Sequence, residues 1–515
     1  MSSHTPFLKP IHVLGLALIV SLGLRLPFVG VTFFSVDEAV SAVAGTTILD
    51  GGLPYRDALD HRGPLTYYAY AGLFGAFGTT DMLIIRLAYL GLILLIQAGI
   101  FWLGNRLANA WIGAWASLIY GIFSWTNPYH EMWAAHTEWL LTAGSLLAFA
   151  CLLVYQERKQ MSWLVLAGAL WGLASLSKQV GILEMGAAGL WLATLQWRKK
   201  RWRQLWIQGL SIGLGFGIVV GGMIAYFWSQ DAWADWWQYV WAYNTDYYVP
   251  EVAGTRRWIN SAKLLVAFFL NKPLLLFLLG VIVVRFRHMP WKTQGWLWAW
   301  FAGTLLAAMA GGRVFLHYLI PALAPMSLLA ALGLQAFWQS RPAWLSLQKA
   351  LVLAGLGVSI SLGTTFYRYG YLAQEDLSIT EFAPFVPYLQ SESQSNDRLF
   401  VWGFAPELYH LSERKPASRF SFCNVLTGHI PAGNEAKSDT RYAILPGVWD
   451  TLQQDLSQQW PMFLIDTQPA DYRAYGKYPL TQTPLWEWMQ GRYQLDQAFH
   501  RQHPEAIFHL YRLQP

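Results

Sequence analysis

Over roughly the first 370 residues, apolar runs of membrane-spanning length alternate with short polar stretches, and that pattern predicts helices rather than strands. The runs fall near Ile11–Phe34, Met82–Leu103, Ala108–Trp125, His136–Tyr155, Met161–Leu176, Val180–Trp197, Leu205–Trp228, Ala262–Arg285, Gly295–Ala310, His317–Trp338 and Lys349–Phe366, about eleven spans in all. The fifth and sixth are short and parted only by Ser177-Lys178-Gln179. The first lacks a small-residue cleavage site and leads straight into an acidic loop, so it is expected to be a retained signal-anchor helix. Beyond Phe366 the pattern changes. Tyr371 to Pro515 mixes polar and apolar positions without a run long enough to span. Arg398–Phe404 and Met462–Asp466 read as buried strands and Trp449–Gln459 as a helix, which predicts a soluble α/β domain of about 145 residues. The chain is thus expected to hold a membrane domain over 1–370 and an α/β domain over 371–515.

Composition fixes the solvent. Of the 515 residues, 55% are hydrophobic and 13% charged, against roughly 25% charged in soluble proteins. The fold class expected is an α-helical polytopic membrane protein with outer-face amphipathic helices and the α/β tail, and membrane lipids are its first partner. The formal net charge of +6 is no sign of nucleic-acid binding, because the basic residues form short clusters between apolar runs. Those clusters (Lys9, Arg106, Arg158-Lys159, Arg198 to Arg203, Arg285 to His288) all fall on one side if every run crosses. The positive-inside rule then puts the N-terminus in the cytoplasm and the tail outside, in a cytoplasmic (inner) membrane. The loops Ser35–Phe77 and Ser229–Trp258 fall on the outer face. Cys151 and Cys423 are far apart in sequence and support neither a disulfide framework nor a cysteine-based metal site.

Candidate chemistry gathers on that outer face. Asp37-Glu38 follows the first run, and Tyr55, Arg56, Asp57, Asp60, His61 and Arg62 follow about twenty residues on, closed by Gly63-Pro64-Leu65. A carboxylate pair followed by guanidinium and imidazole groups has the means to deprotonate a hydroxyl and hold a phosphate. The pair equally suits the first turn of a helix. Neighbouring helical residues point about 100° apart, so one of them, Asp37, is expected to enter a site with Glu38 as orienter or second ligand. Arg62 reads as a phosphate contact or a headgroup anchor, and His61 as a substrate contact or a structural hydrogen bond.

Further polar groups interrupt the later runs. Arg313 and His317 are four apart and would share one face if helical, suiting a lipid-linked phosphate at headgroup depth or an interfacial anchor. Lys178 and Arg25 lie near span ends, the latter also placed to snorkel. His130, Glu131, His136 and Glu138 have the atoms for a divalent metal but not a known ligand spacing. No cofactor is required by the sequence. Loop Ser229–Trp258 is rich in Trp and Tyr, fitting a helix lying on the membrane or stacking against a sugar ring.

Four features together resemble the C-type glycosyltransferase superfamily, in particular the bacterial branch related to protein O-mannosyltransferases and the lipid A aminoarabinose transferase. They are the Asp37-Glu38 pair after the first run, Gly51 to Asp57 followed by Asp60-His61-Arg62-Gly63-Pro64-Leu65, the Ser177-Lys178-Gln179 hairpin, and Arg313 to Pro321 with His317-Tyr318. The resemblance covers roughly the first 370 residues. It implies transfer of a sugar from a polyprenyl-phosphate donor to a lipid, glycan or protein acceptor. The family's catalytic acid maps onto Asp37 and its phosphate-contacting Lys onto Arg62, with Gly63 in place of the first Pro of the pair. The expected roles are Asp37 and Glu38 in catalysis, Arg62, Arg313, His317 and Lys178 on the donor phosphate, and Tyr55, His61 and Glu138 on substrate. A lipid-linked-sugar flippase or a non-catalytic polysaccharide-assembly subunit would also show many spans, though the former favours internal repeats that this chain lacks.

Overall fold

The computed structural model describes residues 9–127, 130–285, 291–341, 345–372 and 381–515. It divides into two compact units, one of Met1–Thr32, Met82–Tyr226 and Gly254–Tyr371, the other of Phe33–Asp81, Phe227–Ala253 and Leu372–Pro515.

The first unit is helical, and every apolar run of the sequence carries a helix. Among the described residues, six helices are long and apolar enough to cross a membrane: Pro10–Phe28, Met82–Leu107, Thr137–Arg158, Trp202–Ser229, Leu316–Gln339 and Leu347–Tyr367. Ala110–Phe123 and Ser162–Ser177 are apolar but have only 14 and 16 residues, about 21 and 24 Å of helix against a hydrocarbon layer of about 30 Å. The run expected as one span at Ala262–Arg285 is instead two helices, Gly254–Leu270 and Pro273–Arg285, bent by 110°. Pro273 supplies no N–H and restricts the residue before it, which ends the first helix. At the break Lys272 is buried, donating to Asn271 Oδ1 at 2.9 Å with its ammonium 4.2 Å from the Phe268 ring centroid.

Small residues set the closest approaches in this unit. A Cβ on Gly215 would lie 1.8 Å from the Val165 carbonyl oxygen, and one on Gly168 2.0 Å from that of Ile212. Helices Ser162–Ser177 and Trp202–Ser229 therefore meet backbone to backbone, as small residues allow in membranes. Buried polar groups tie other helices together. Gln97 donates to the carbonyls of Ala17 and Ser117 at 3.0 and 2.9 Å. Arg25 does not snorkel; it bonds Ser21, the Gly121 carbonyl and Ser124 Oγ, the last at 2.7 Å.

The second unit is built on a five-stranded sheet of order β2-β1-β3-β5-β4. The strands are β1 Arg398–Trp402, β2 Lys415–Pro416, β3 Phe463–Asp466, β4 Tyr493–Leu495 and β5 His509–Leu513. β1 runs parallel to β2 and β3, with Leu399 opposite Phe463, whereas β5 is antiparallel to β3 and β4. Leu399, Val401, Phe463, Ile465 and Leu510 pack with Phe385, Phe499 and Phe508, and Val43 from helix Val36–Leu49 belongs to the same core. The tail thus does not complete its core alone. Leu59 N–H donates to the Arg419 carbonyl at 2.9 Å, Lys415 pairs with Asp50 at 2.7 Å, and Lys437 pairs with Glu251 at 2.8 Å. Phe33 and Phe34, read from sequence as the end of the first span, also belong here. The span stops at Phe28, after Pro27, and Phe33 packs edge-on to His410 with ring centroids 5.1 Å apart.

Candidate active site

The first polar cluster lies wholly in the second unit. Ser35 caps helix Val36–Leu49 by accepting the Asp37 N–H, which puts both acidic residues in the first turn, where the helix dipole favours them. Glu38 turns inward, is fully buried, and accepts the Phe34 N–H at 2.7 Å. Asp37 turns the other way and keeps 26% of its side chain exposed. That difference leaves Asp37 as the solvent-accessible carboxylate of the pair, while Glu38 fixes the entry to the helix.

Arg62 bridges two carboxylates, pairing with Asp37 through one terminal nitrogen and with Asp60 Oδ2 through the other at 2.9 Å. Asp60 was not among the expected site residues, yet it organises the cluster. Its side chain is 2% exposed and accepts from Arg62, from the Tyr67 hydroxyl at 2.6 Å and from the His61 N–H at 2.7 Å, with His61 Nδ1 at 3.1 Å. Burial works against its charge, but Arg62, His61 and Tyr67 outweigh that effect and hold the carboxyl well below the usual range. For Arg62 burial likewise opposes the charge, and Asp37 and Asp60 more than offset it, so the guanidinium stays protonated.

The loop before this cluster is held in a strained form. Tyr55 has φ +73°, uncommon for a side-chain-bearing residue, and its N–H donates to the Ala58 carbonyl at 2.7 Å. Expected as a substrate contact, Tyr55 has no exposed surface and donates its hydroxyl to the Arg62 carbonyl at 2.7 Å. That bond ties the Tyr55 side chain to the backbone of Arg62. His61 remains partly open, its ring 4.9 Å from that of Tyr248 and 5.6 Å from that of Tyr243.

The second cluster lies in the first unit. Glu138 stands in the first turn of Thr137–Arg158, 3% exposed, and accepts from Lys178 Nζ at 2.5 Å. Lys178 has extended backbone where Ser162–Ser177 ends, and its ammonium also sits 3.6 Å from the Tyr318 ring centroid, a cation–π contact. His317 Nε2 is 3.9 Å from the same Glu138 oxygen, and the His317 ring stacks on His136 at 4.0 Å. Glu138, expected on substrate, is thus the buried counter-ion of Lys178. Arg313 is 1% exposed and bonds the Gly311 carbonyl at 3.2 Å. Arg313 and His317 do not share a helical face as expected. Gly312 takes φ +64°, residues 312–315 are not helical, and His317 lies in the short 3-10 turn Leu316–Leu319.

Two imidazoles, His136 and His317, stacked at 4.0 Å, offer nitrogen ligands of the kind that bind divalent metals, while the Glu138 oxygen beside them is engaged by Lys178. The side chains of His130 and Glu131 lie outside the described residues.

No protein-family model matches the chain, and no curated sequence matches it. Solved structures do. ArnT from Cupriavidus metallidurans bound to undecaprenyl phosphate aligns at a TM-score of 0.63 and 14% identity, over 97% of this chain and 97% of ArnT. The oligosaccharyltransferase AglB from Archaeoglobus fulgidus, in complex with an inhibitory peptide and a dolichol-phosphate, aligns at 0.53 and 13%, over 94% of this chain and 72% of that one. An Archaeoglobus fulgidus oligosaccharyltransferase in complex with Zn and sulfate aligns at 0.50 and 14%, over 93% and 71%. At such identities the likeness establishes the fold. This chain has the polytopic membrane fold seen in ArnT and AglB.

Proposed function

We propose that this protein is a membrane glycosyltransferase that moves a sugar from a polyprenyl-phosphate donor to a lipid, glycan or protein acceptor on the outer face of the cytoplasmic membrane. The observation that carries the reading is a partly exposed carboxylate, Asp37, held by an arginine that a buried carboxylate, Asp60, fixes in place, on the fold shared with ArnT and AglB. The undecaprenyl phosphate of the ArnT structure and the dolichol-phosphate of the AglB structure support a lipid-phosphate donor.

The reaction follows from these groups. Asp37 takes the proton of an acceptor hydroxyl as its oxygen attacks the anomeric carbon. The bond from that carbon to the phosphate oxygen breaks on the far side, with inversion, and the polyprenyl phosphate leaves with the electron pair. A positioned base contributes typically 10²–10⁴-fold. Cationic groups directed at the phosphate neutralise the charge that develops there, often contributing as much. Arg62, Arg313, His317 and Lys178 are assigned to that task, with His61 toward the sugar. Lys178 is already balanced by Glu138, so the phosphate competes with a carboxylate for it. A metal held in part by His136 and His317 would supply further positive charge. The N-terminus lies in the cytoplasm in this reading, and the tail outside.

The test is incubation of the purified full chain with polyprenyl-phosphate sugars and candidate acceptors, read by product mass spectrometry. Asp37→Asn should abolish transfer while leaving donor binding intact. A flippase or scaffold tolerates that substitution, so undiminished function in Asp37→Asn would overturn the assignment.

A further inference from the structure

The segment Gln238–Tyr248 folds as two consecutive stretches of π-helix, Gln238–Ala242 and Asn244–Tyr248. Such helix is rare and concentrates at functional sites. Its origin is local. Asn244 Nδ2 donates to the Val240 carbonyl at 2.9 Å and Thr245 Oγ1 to that of Trp241 at 3.0 Å. Both side chains thereby compete for carbonyls the α-helix would use. Backbone bonds lengthen to i→i+5, as in Val249 N–H to the Asn244 carbonyl at 2.9 Å.

The wider turn changes which side chains meet. On an α-helix, position i+4 lies near position i and i+5 is turned well away. With about one more residue per turn, i+4 and i+5 straddle it. Tyr247 and Tyr248 accordingly flank Tyr243, with ring centroids 6.1 and 6.3 Å from it. Asn244 Nδ2 also donates to the His61 carbonyl at 2.8 Å, pinning the segment to the loop that carries Arg62. The His61 ring then joins the row beside Tyr248, and Tyr248 is near enough to Arg62 to interact with its charge. Tyr243 is buried beneath, while Tyr247, Tyr248 and His61 are half-buried.

We infer that Tyr247, Tyr248 and His61 form a stacking platform for a sugar ring beside Asp37 and Arg62. A sugar ring has one face of C–H groups and a rim of hydroxyls. The electron-rich faces of aromatic rings attract the former, and neighbouring charged groups bind the latter. This deepens the proposed function and rests on it for the placement of the reacting sugar, which comes either from the donor or from a glycan acceptor. Trp237, exposed just before the segment, does not belong to the platform; a membrane-surface role suits it.

The test needs no turnover, so its failure is separable from failure of the transferase reading. Full-length protein in nanodiscs is mixed with methyl glycosides of glucose, galactose, mannose and arabinose, and saturation-transfer NMR records contact with the ring protons. At least one glycoside should give a signal that falls about fivefold or more in Tyr248→Ala and in Tyr247→Ala. It should persist in Tyr248→Phe and in Tyr367→Ala, an exposed tyrosine of helix Leu347–Leu372. If the ring is the donor's, a polyprenyl-phosphate sugar displaces the glycoside and sugar-free polyprenyl phosphate does not. If it is the acceptor's, neither displaces it. No signal across the panel, or one that both alanine variants leave unchanged, would overturn the platform.

Discussion

Asp60→Asn tests the idea that a buried carboxylate, rather than the reactive one, organises the candidate site. In the parent, Asp60 accepts from Arg62 at 2.9 Å, Tyr67 at 2.6 Å and the His61 N–H at 2.7 Å, with His61 Nδ1 at 3.1 Å. Asparagine keeps one acceptor oxygen and turns an NH₂ group toward the remaining donors, so about half of these bonds are lost. Bonds to a charged group contribute about 1.5–3 kcal/mol each, and removing one partner of a buried ion pair costs about 3–5 kcal/mol. Arg62 retains Asp37, which limits the loss to about 3 kcal/mol, or roughly 6–12 °C in the unfolding of a unit of this size. The assay is differential scanning fluorimetry of the full chain in detergent, with transfer measured in parallel. Transfer should fall with the stability, because Arg62 loses its anchor. Asp37→Asn, by contrast, should lose transfer at nearly parental melting temperature. The pH dependence has a definite sign. Because the folded state holds the Asp60 pKa below its unfolded value, its contribution is complete above about pH 4 and disappears as pH falls toward the folded value. The variant should lack that acid-side decline. A melting temperature within a degree of the parent at neutral pH would refute the argument.

Arg313→Ala should weaken binding of a polyprenyl-phosphate donor by about 1.5–3 kcal/mol, roughly 10- to 150-fold, measured by equilibrium binding in nanodiscs. Asp466, buried at the end of β3, has its pKa pushed up to about 6 by desolvation, against which a bond from the Gln468 N–H works weakly. A raised pKa means that its favourable contribution is full below about pH 4 and lost as pH rises through 6. Asp466→Asn should therefore raise the melting temperature at pH 7.5 and leave it nearly unchanged at pH 4, as thermal scans would show. A fragment of residues 381–515 should aggregate, whereas co-expression with 33–81 should improve its solubility, because Val43 and the Leu59–Arg419 bond complete its core and edge.

The positions of the helices in the first unit could be read from the sequence, since hydrophobicity sustained over a turn-rich window is a local property. The same holds for β1, β3 and the helix Val448–Gln458 between them, and for Asp37 at a helix start, where Ser35 is a local signal for a cap. Other features depended on contacts distant in the chain. Strands β4 and β5 carry polar residues (Gln494, His509, Arg512) and so lack the apolar run that marks β1 and β3; β5 pairs onto the edge of β3, and β4 onto β5. Phe33 and Phe34 look like membrane residues by hydropathy, but His410 and the cap of the next helix claim them. The 100° step led to the expectation that Asp37 and Glu38 face different ways with Asp37 left accessible, and in the fold Glu38 is the buried one. Asp60 and Tyr55 lay in plain view among polar residues. Their roles became visible only when the left-handed turn at Tyr55 folded both against Arg62. Spacing misled at Arg313 and His317 because Gly312, at φ +64°, lets the backbone leave the helix there. The tyrosine row beside His61 needed a π-helix that side chains of Asn244 and Thr245 create, and no periodicity computed on an α-helix would have aligned it. Local sequence sets where the chain enters and leaves regular structure, because propensity and solvent act residue by residue. Which polar groups end as counter-ions, anchors or exposed reagents is decided by burial, and burial exists only once distant segments have met.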